Sequence, residues 1–99
     1  MSIAERNDAF RKNILFSVDS RNKMLITQGI TASFNDKQIA DIFGAVRDFN
    51  NFNQDNNPWG EHDFGSILIF GRKIFWKIDD YQGEDATDLV LTILLAEEY

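Results

Sequence analysis

Between Asn35 and Phe49 the residues Ile39, Ile42, Phe43, Val46 and Phe49 recur at i, i+3, i+4, i+7 and i+10, one apolar stripe of an α-helix. Asn35 stands at the N-cap and Gln38 at the capping-box position, while Lys37, Asp41 and Arg47 fall off the stripe. A stripe of this kind must be buried against another element. After Phe49 the helical period stops. Asn50, Asn51, Asn53, Asn56 and Asn57 crowd together with Pro58 and Gly60, and their side-chain amides compete for backbone partners, which predicts a loop ordered by Phe52 and Trp59 packing inward. Beyond it, Gly65 to Phe70 and Lys73 to Asp79 flank Gly71-Arg72, a spacing that predicts a hairpin with a type II′ turn, Gly first. Ile74, Trp76 and Ile78 share one face. Ile67 to Phe70 is apolar on both faces, which predicts a central strand.

The flanking segments extend this plan. Ser2 and Glu5 form a capping box for a first helix that carries Ile3, Phe10 and Ile14 with Asn7 between them and ends near Asn13. Arg11 and Lys12 suit the negative end of its dipole. Ile14, Phe16 and Val18 alternate, Asp19 to Asn22 is turn chemistry, and Lys23 to Gln28 resumes an extended pattern that Gly29 ends. In the C-terminal segment, Asp85 fits the N-cap of a helix with Asp88 in its first turn, while Leu89 to Ile93 also fits a buried strand, because a short apolar run does not separate the two by period. The length of the run and its acidic start favour helix. The expected order is α-β-β-α-β-β-α: an α+β fold with an antiparallel sheet of about four strands, made of two hairpins, and helices packed on one face. Ninety-nine residues make one domain, 1–99.

The chain has no cysteine, which excludes a disulfide framework and a thiolate metal site and points to a reducing compartment. The polar N-terminus has no apolar core of a signal peptide, and the run from Leu89 to Ala96 is far too short to cross a bilayer. A cytoplasmic protein without membrane partners is the expectation. The net charge of −6 is unevenly placed. Residues 1–78 hold nine acids against ten bases; residues 79–99 hold seven acids and no Lys or Arg. Such a field repels phosphate backbones and attracts basic surfaces, which disfavours direct nucleic-acid binding.

Three blocks carry a resemblance: Asp55-Asn56-Asn57-Pro58-Trp59-Gly60-Glu61-His62-Asp63-Phe64-Gly65, Ile74-Phe75-Trp76-Lys77-Ile78-Asp79-Asp80-Tyr81, and Val90-Leu91-Thr92-Ile93-Leu94-Leu95-Ala96-Glu97-Glu98-Tyr99. In these the chain resembles a family of small uncharacterised proteobacterial, plasmid and phage proteins. The likeness covers the last half of the chain and, loosely, the helix over residues 4–10. Residues 13–23 are longer than the family's pattern, and residues 81–88 stand where the family has a longer, Pro-rich stretch. The resemblance implies a shared fold and no chemistry.

A catalytic reading can start only at Glu61-His62-Asp63, with His62, the sole histidine, as general base and Asp63 as its orienting partner. The competing reading has the same three side chains tie the Asn-rich loop to the sheet. His62 with Glu61, Asp63, Asp79 and Asp80 matches no ligand spacing for Mg²⁺ or Ca²⁺, and zinc needs more nitrogen or sulfur ligands, so no metal and no cofactor is expected. Trp59, Trp76, Phe75 and Phe70, with Lys77 and Arg72 near them, could stack on a base or sugar; core packing competes, most strongly for Trp76. The most distinctive feature is acidic: Asp79, Asp80, Glu84, Asp85 and Asp88 fall in one strand end, loop and first helical turn. Carboxylates in a row imitate phosphates, and the competing explanation is solubility together with helix-dipole pairing at Asp85 and Asp88. The reading that results is a small acidic protein-binding protein, not an enzyme, that occupies the basic surface of another protein, in the manner of an anti-CRISPR inhibitor of a phage or plasmid. The alternative is a small enzyme or ligand-binding protein centred on His62. The sequence leaves the oligomeric state open.

Overall fold

The computed structural model describes residues 2–13, 22–82 and 87–99. Both capping boxes form. Ser2 and Glu5 start α1 (Ile3–Lys12), which Asn13 ends, and Asn35 and Gln38 start α3 (Asp36–Arg47). Between them, β1 (Lys23–Ile26) runs straight into a helix that the sequence pattern does not announce, α2 (Gln28–Ser33), capped by the Thr27 hydroxyl. Gly29 therefore sits in a helix and does not close a strand. The expected strand over residues 14–18 and the turn at 19–21 lie outside the described residues.

The second hairpin is present as β2 (Phe64–Ile69) and β3 (Arg72–Gln82). Ile69 pairs with Arg72, so the two-residue turn is Phe70-Gly71, one position earlier than expected. Both residues have positive φ, 53° and 71°, which is a type I′ turn in place of type II′.

The C-terminal segment is a strand, β4 (Thr87–Leu95), followed by a single 3₁₀ turn (Ala96–Glu98). The sheet order is β1-β4-β3-β2, with β4 antiparallel to β3 and parallel to β1. Among the described residues the fold is α+β with four strands, but the sheet is mixed, because β1 pairs in parallel with β4. The reason is visible in β4 itself. Leu89, Leu91, Ile93 and Leu95 are buried on one face, and Leu94 is buried on the other. An apolar run covered on both faces and hydrogen-bonded on both edges needs an interior strand position. β2, by contrast, is an edge strand, and Leu68 on it is 78% exposed.

The described helices cover one face. Phe10, Ile30, Phe34, Ile42, Val46 and Phe49 pack with Ile74, Trp76, Ile78, Leu89, Leu91, Ile93 and Leu95 in one core. Trp76 is completely buried, a side chain worth about 4–6 kcal/mol of transfer free energy before its ordering cost. Phe49 and Phe52 meet its ring edge-on at 5.4 and 6.2 Å. The opposite face, which displays Leu25, Phe64, Leu68, Phe75, Lys77 and Asp79, carries no described helix.

Candidate functional site

The Asn-rich loop is held by its own amides. Asn53 Oδ1 accepts from the backbone N–H groups of Asp55 and Asn56, Asn56 Oδ1 accepts from that of Asn53, and Asn57 Oδ1 accepts from that of His62. The chain then turns through Gly60 at φ 68° and His62 at φ 54° before entering β2. Asn7, buried on α1, donates to the Glu61 carbonyl at 2.8 Å and fixes this turn to the helix.

His62 does not use its sequence neighbours. Its Nδ1 lies 3.0 Å from both carboxylate oxygens of Asp8, on α1, and a carboxylate only accepts, so Nδ1 carries the hydrogen. Its ring stacks on Phe52 at 3.8 Å, nearly parallel. Asp8 also accepts from Arg11 Nη2 at 2.8 Å. Burial alone would raise the Asp8 pKa; hydrogen bonds from His62 and Arg11, and their charge, bring it below the ordinary 3.8. Arg11 is 1% exposed, and its Nη1 donates to the carbonyls of Val46, Arg47 and Phe49 at 3.0 Å each, closing the C-terminal end of α3. Its guanidinium lies 5.6 Å from the Phe52 ring centre and 5.1 Å from that of Trp76. Asp8, Arg11 and His62 thus tie α1, α3 and the loop together. The orienting partner expected at Asp63 or Glu61 is Asp8, 54 residues away. Its trace in the sequence is Asn7 and Arg11, polar residues one turn apart beside Phe10 on an otherwise apolar stripe.

The acidic C-terminal fifth does not form one row at its described positions. Asp79 and Asp80 are adjacent in β3 and point to opposite faces of the sheet. Asp80 accepts from Arg6 at 3.0 Å, and Asp79 lies 3.6 Å from Lys77. Glu97 accepts from Arg72 at 2.7 Å. Glu98 accepts from the Thr27 hydroxyl at 2.6 Å, from the Leu95 N–H at 2.8 Å and from the Gly29 N–H at 3.2 Å, and these bonds lower its pKa below the ordinary 4.5. Glu84 and Asp85 lie outside the described residues, as does the side chain of Asp88. The four described carboxylates, Asp79, Asp80, Glu97 and Glu98, are each met by a cation or by N–H and O–H donors.

The aromatic surface expected from Trp59, Trp76, Phe75 and Phe70 takes another form: Trp76 is in the core, and Phe75 and Trp59 are joined by Phe64 and Tyr99. Phe64, Phe75 and Tyr99 meet on the sheet face that bears no described helix, with ring centres 5.0, 6.0 and 5.5 Å apart. Beside them the loop, the start of β2 and the middle of β3 enclose a surface cavity of about 370 Å³. Trp59, Phe64 and Tyr99 line it with Asp55, Asp63, Asp79 and Lys77. Of the two loop aromatics expected to pack inward, only Phe52 does so, and Trp59 is 86% exposed. Another cavity, of about 490 Å³, lies at Lys12, Arg47, Asp48, Phe49 and Asn50, and His62 lines neither. Among the described residues no three His, Cys, Asp or Glu side chains stand close enough to hold a metal ion, and no helix is long and apolar enough to cross a membrane.

A family model described as a protein of unknown function, DUF3768, matches residues 26–98, and the chain belongs to that family. No curated protein and no solved structure matches it. The matched span contains every residue named at the cavity except Tyr99; Asp8 and Arg11 lie outside it.

Proposed function

We propose that this DUF3768 protein is a protein-binding protein, working in the cytoplasm, whose partner presents a basic surface. The observation that carries the reading is the sheet face that bears no described helix. Leu25 (52%), Leu68 (78%) and Tyr99 (76%) stand exposed on or beside it, and Trp59 borders it. Exposed large apolar side chains gathered on one face mark an interaction surface more often than they serve folding. The net charge of −6 supports a basic partner, although Lys23, Lys73 and Lys77 share the face, so its acid is gathered at the loop end. In its sharpest form the proposal is an anti-CRISPR-like inhibitor from a phage or plasmid that occupies a nucleic-acid-binding groove by charge mimicry. Seven carboxylates without a base in residues 79–99 support that form. The divergence of Asp79 and Asp80 leaves the mimicry to Glu84, Asp85 and Asp88.

The test is capture of a partner from host lysate by the full chain at low and high salt, repeated with L25K/L68K. The expected result is a basic partner that is lost in high salt and lost with the double variant. Capture indifferent to both would overturn the reading.

The Asp8–His62 pair favours a second reading, an acid/base or ligand site on His62. His62→Asn, chosen because Asn tolerates the positive φ, separates the two. Retained partner capture supports the binding reading; loss of a biological activity with the fold intact supports the site.

A further inference from the structure

We infer that the cavity beside the Asn-rich loop seats the guanidinium of an arginine from the partner, an inference that rests on the protein-binding reading. The lining decides the ligand class. Three carboxylates and one ammonium, Asp55, Asp63, Asp79 and Lys77, leave an excess of negative charge. Asp79 lies 3.6 Å from Lys77, whereas the Asp55 and Asp63 carboxylates make no ion pair and no hydrogen bond among the described residues. A phosphate or a nucleic-acid backbone would be repelled. Among the described residues no three of these carboxylates are grouped as the ligands of a metal ion would be. A cation with dispersed charge and a flat face fits both the separated carboxylates and the rings of Trp59, Phe64 and Tyr99.

Arginine fits better than lysine. Its planar guanidinium stacks on aromatic faces and donates in two directions at once, while an ammonium is a compact, strongly hydrated point charge. The protein already binds one guanidinium in this way. Arg11 is held by one carboxylate, Asp8, by the faces of Phe52 and Trp76, and by carbonyls on Nη1, while its Nε–H has no acceptor among the described residues. The cavity repeats the carboxylate-plus-aromatic part of that arrangement at the surface, where the highly exposed Trp59 supplies one wall.

The experiment needs no partner. The full chain is titrated with a short arginine peptide, followed by tryptophan fluorescence, with the citrulline and lysine versions of the same peptide alongside. Trp59→Phe identifies the reporting indole, because Trp76 is buried. The arginine peptide is expected to perturb Trp59 saturably. Citrulline, which keeps the shape and loses the charge, should bind at least about tenfold more weakly, and Asp63→Asn should weaken the arginine peptide by a similar factor. Lys77→Met, which removes the competing cation, should strengthen it. Equal binding of citrulline and arginine by the unmutated chain would overturn the inference, as would an unchanged affinity in Asp63→Asn, or a Trp59 response to a single-stranded oligonucleotide but not to the peptide. If arginine fails while L25K/L68K still abolishes partner capture, the cavity assignment falls and the sheet-face reading stands.

Discussion

Arg11 shows how much one residue can decide in a chain of 99 residues. A guanidinium removed from water is costly unless its donors are used; Nη1 closes three carbonyls at the end of α3 and Nη2 pairs with Asp8, while Nε–H has no acceptor among the described residues. Arg11→Met should cost about 3–5 kcal/mol in urea unfolding, because it strands three carbonyls and leaves Asp8 with His62 as its remaining partner. Gly65 is constrained differently. A Cβ there would collide with the Trp76 indole and the Phe49 ring, both buried. Gly65→Ala should therefore destabilise by about 1–3 kcal/mol, read from the same unfolding midpoint, even though Ala suits a strand better than Gly does. Trp76 keeps its indole N–H without an acceptor among the described residues, against that glycine, so the space cannot be recovered by rotating the ring away cheaply.

At the scale of elements, the two helices with capping boxes could be read directly, because an N-cap and its N3 partner are three residues apart and act locally. α2 could not, since it is six residues long and its cap, Thr27, is itself tied to Glu98 at the far end of the chain. That clasp makes the C-terminal turn and the α2 start one unit. Glu98→Gln removes the charge from an acceptor of three donors and should lower the melting temperature near neutral pH. Its effect should vanish in acid, where the native carboxyl is protonated too. A melting temperature lowered equally in strong acid would show that shape, and not charge, matters there. Phe70 is the strained element end. A bulky residue at φ 53° is uncommon, and it is held in the turn with its ring 6.0 Å from that of Phe34.

For the whole molecule, the carboxylates set the pH response. Asp8 and Glu98 both have pKa values below their ordinary 3.8 and 4.5. Each binds a proton less readily folded than unfolded. Each therefore stabilises the fold above its ordinary value and loses that contribution as pH falls through the lower native one. The melting temperature should fall as pH drops below about 4.5, the ordinary Glu value, and Asp8→Asn/Glu98→Gln should flatten the fall. A double variant with an unchanged acid limb would place the acid sensitivity elsewhere. The same scale governs binding. The −6 net charge is real, but the described acids of the C-terminal fifth are matched by Arg6, Arg72, Lys77 or N–H donors. The carboxylates left without ion pairs at the cavity, Asp55 and Asp63, come from the loop before β2, outside the acidic C-terminal fifth.

What the sequence determined alone is whatever depends on neighbours within a turn or along a strand: both capped helices, the β2–β3 hairpin, the loop at 50–60, and the shared face of Ile74, Trp76 and Ile78. Tertiary structure decided what depends on distant partners. Residues 89–95 read as helix or strand until β1 and β3 stand on either side of them, because an apolar run takes the form that its neighbours bury. His62 found Asp8, and Trp59, Phe64 and Tyr99 came to share a cavity with Asp63 and Asp79, for the same reason. Side chains from separate segments meet only when the sheet fixes their register, and no local spacing encodes that meeting.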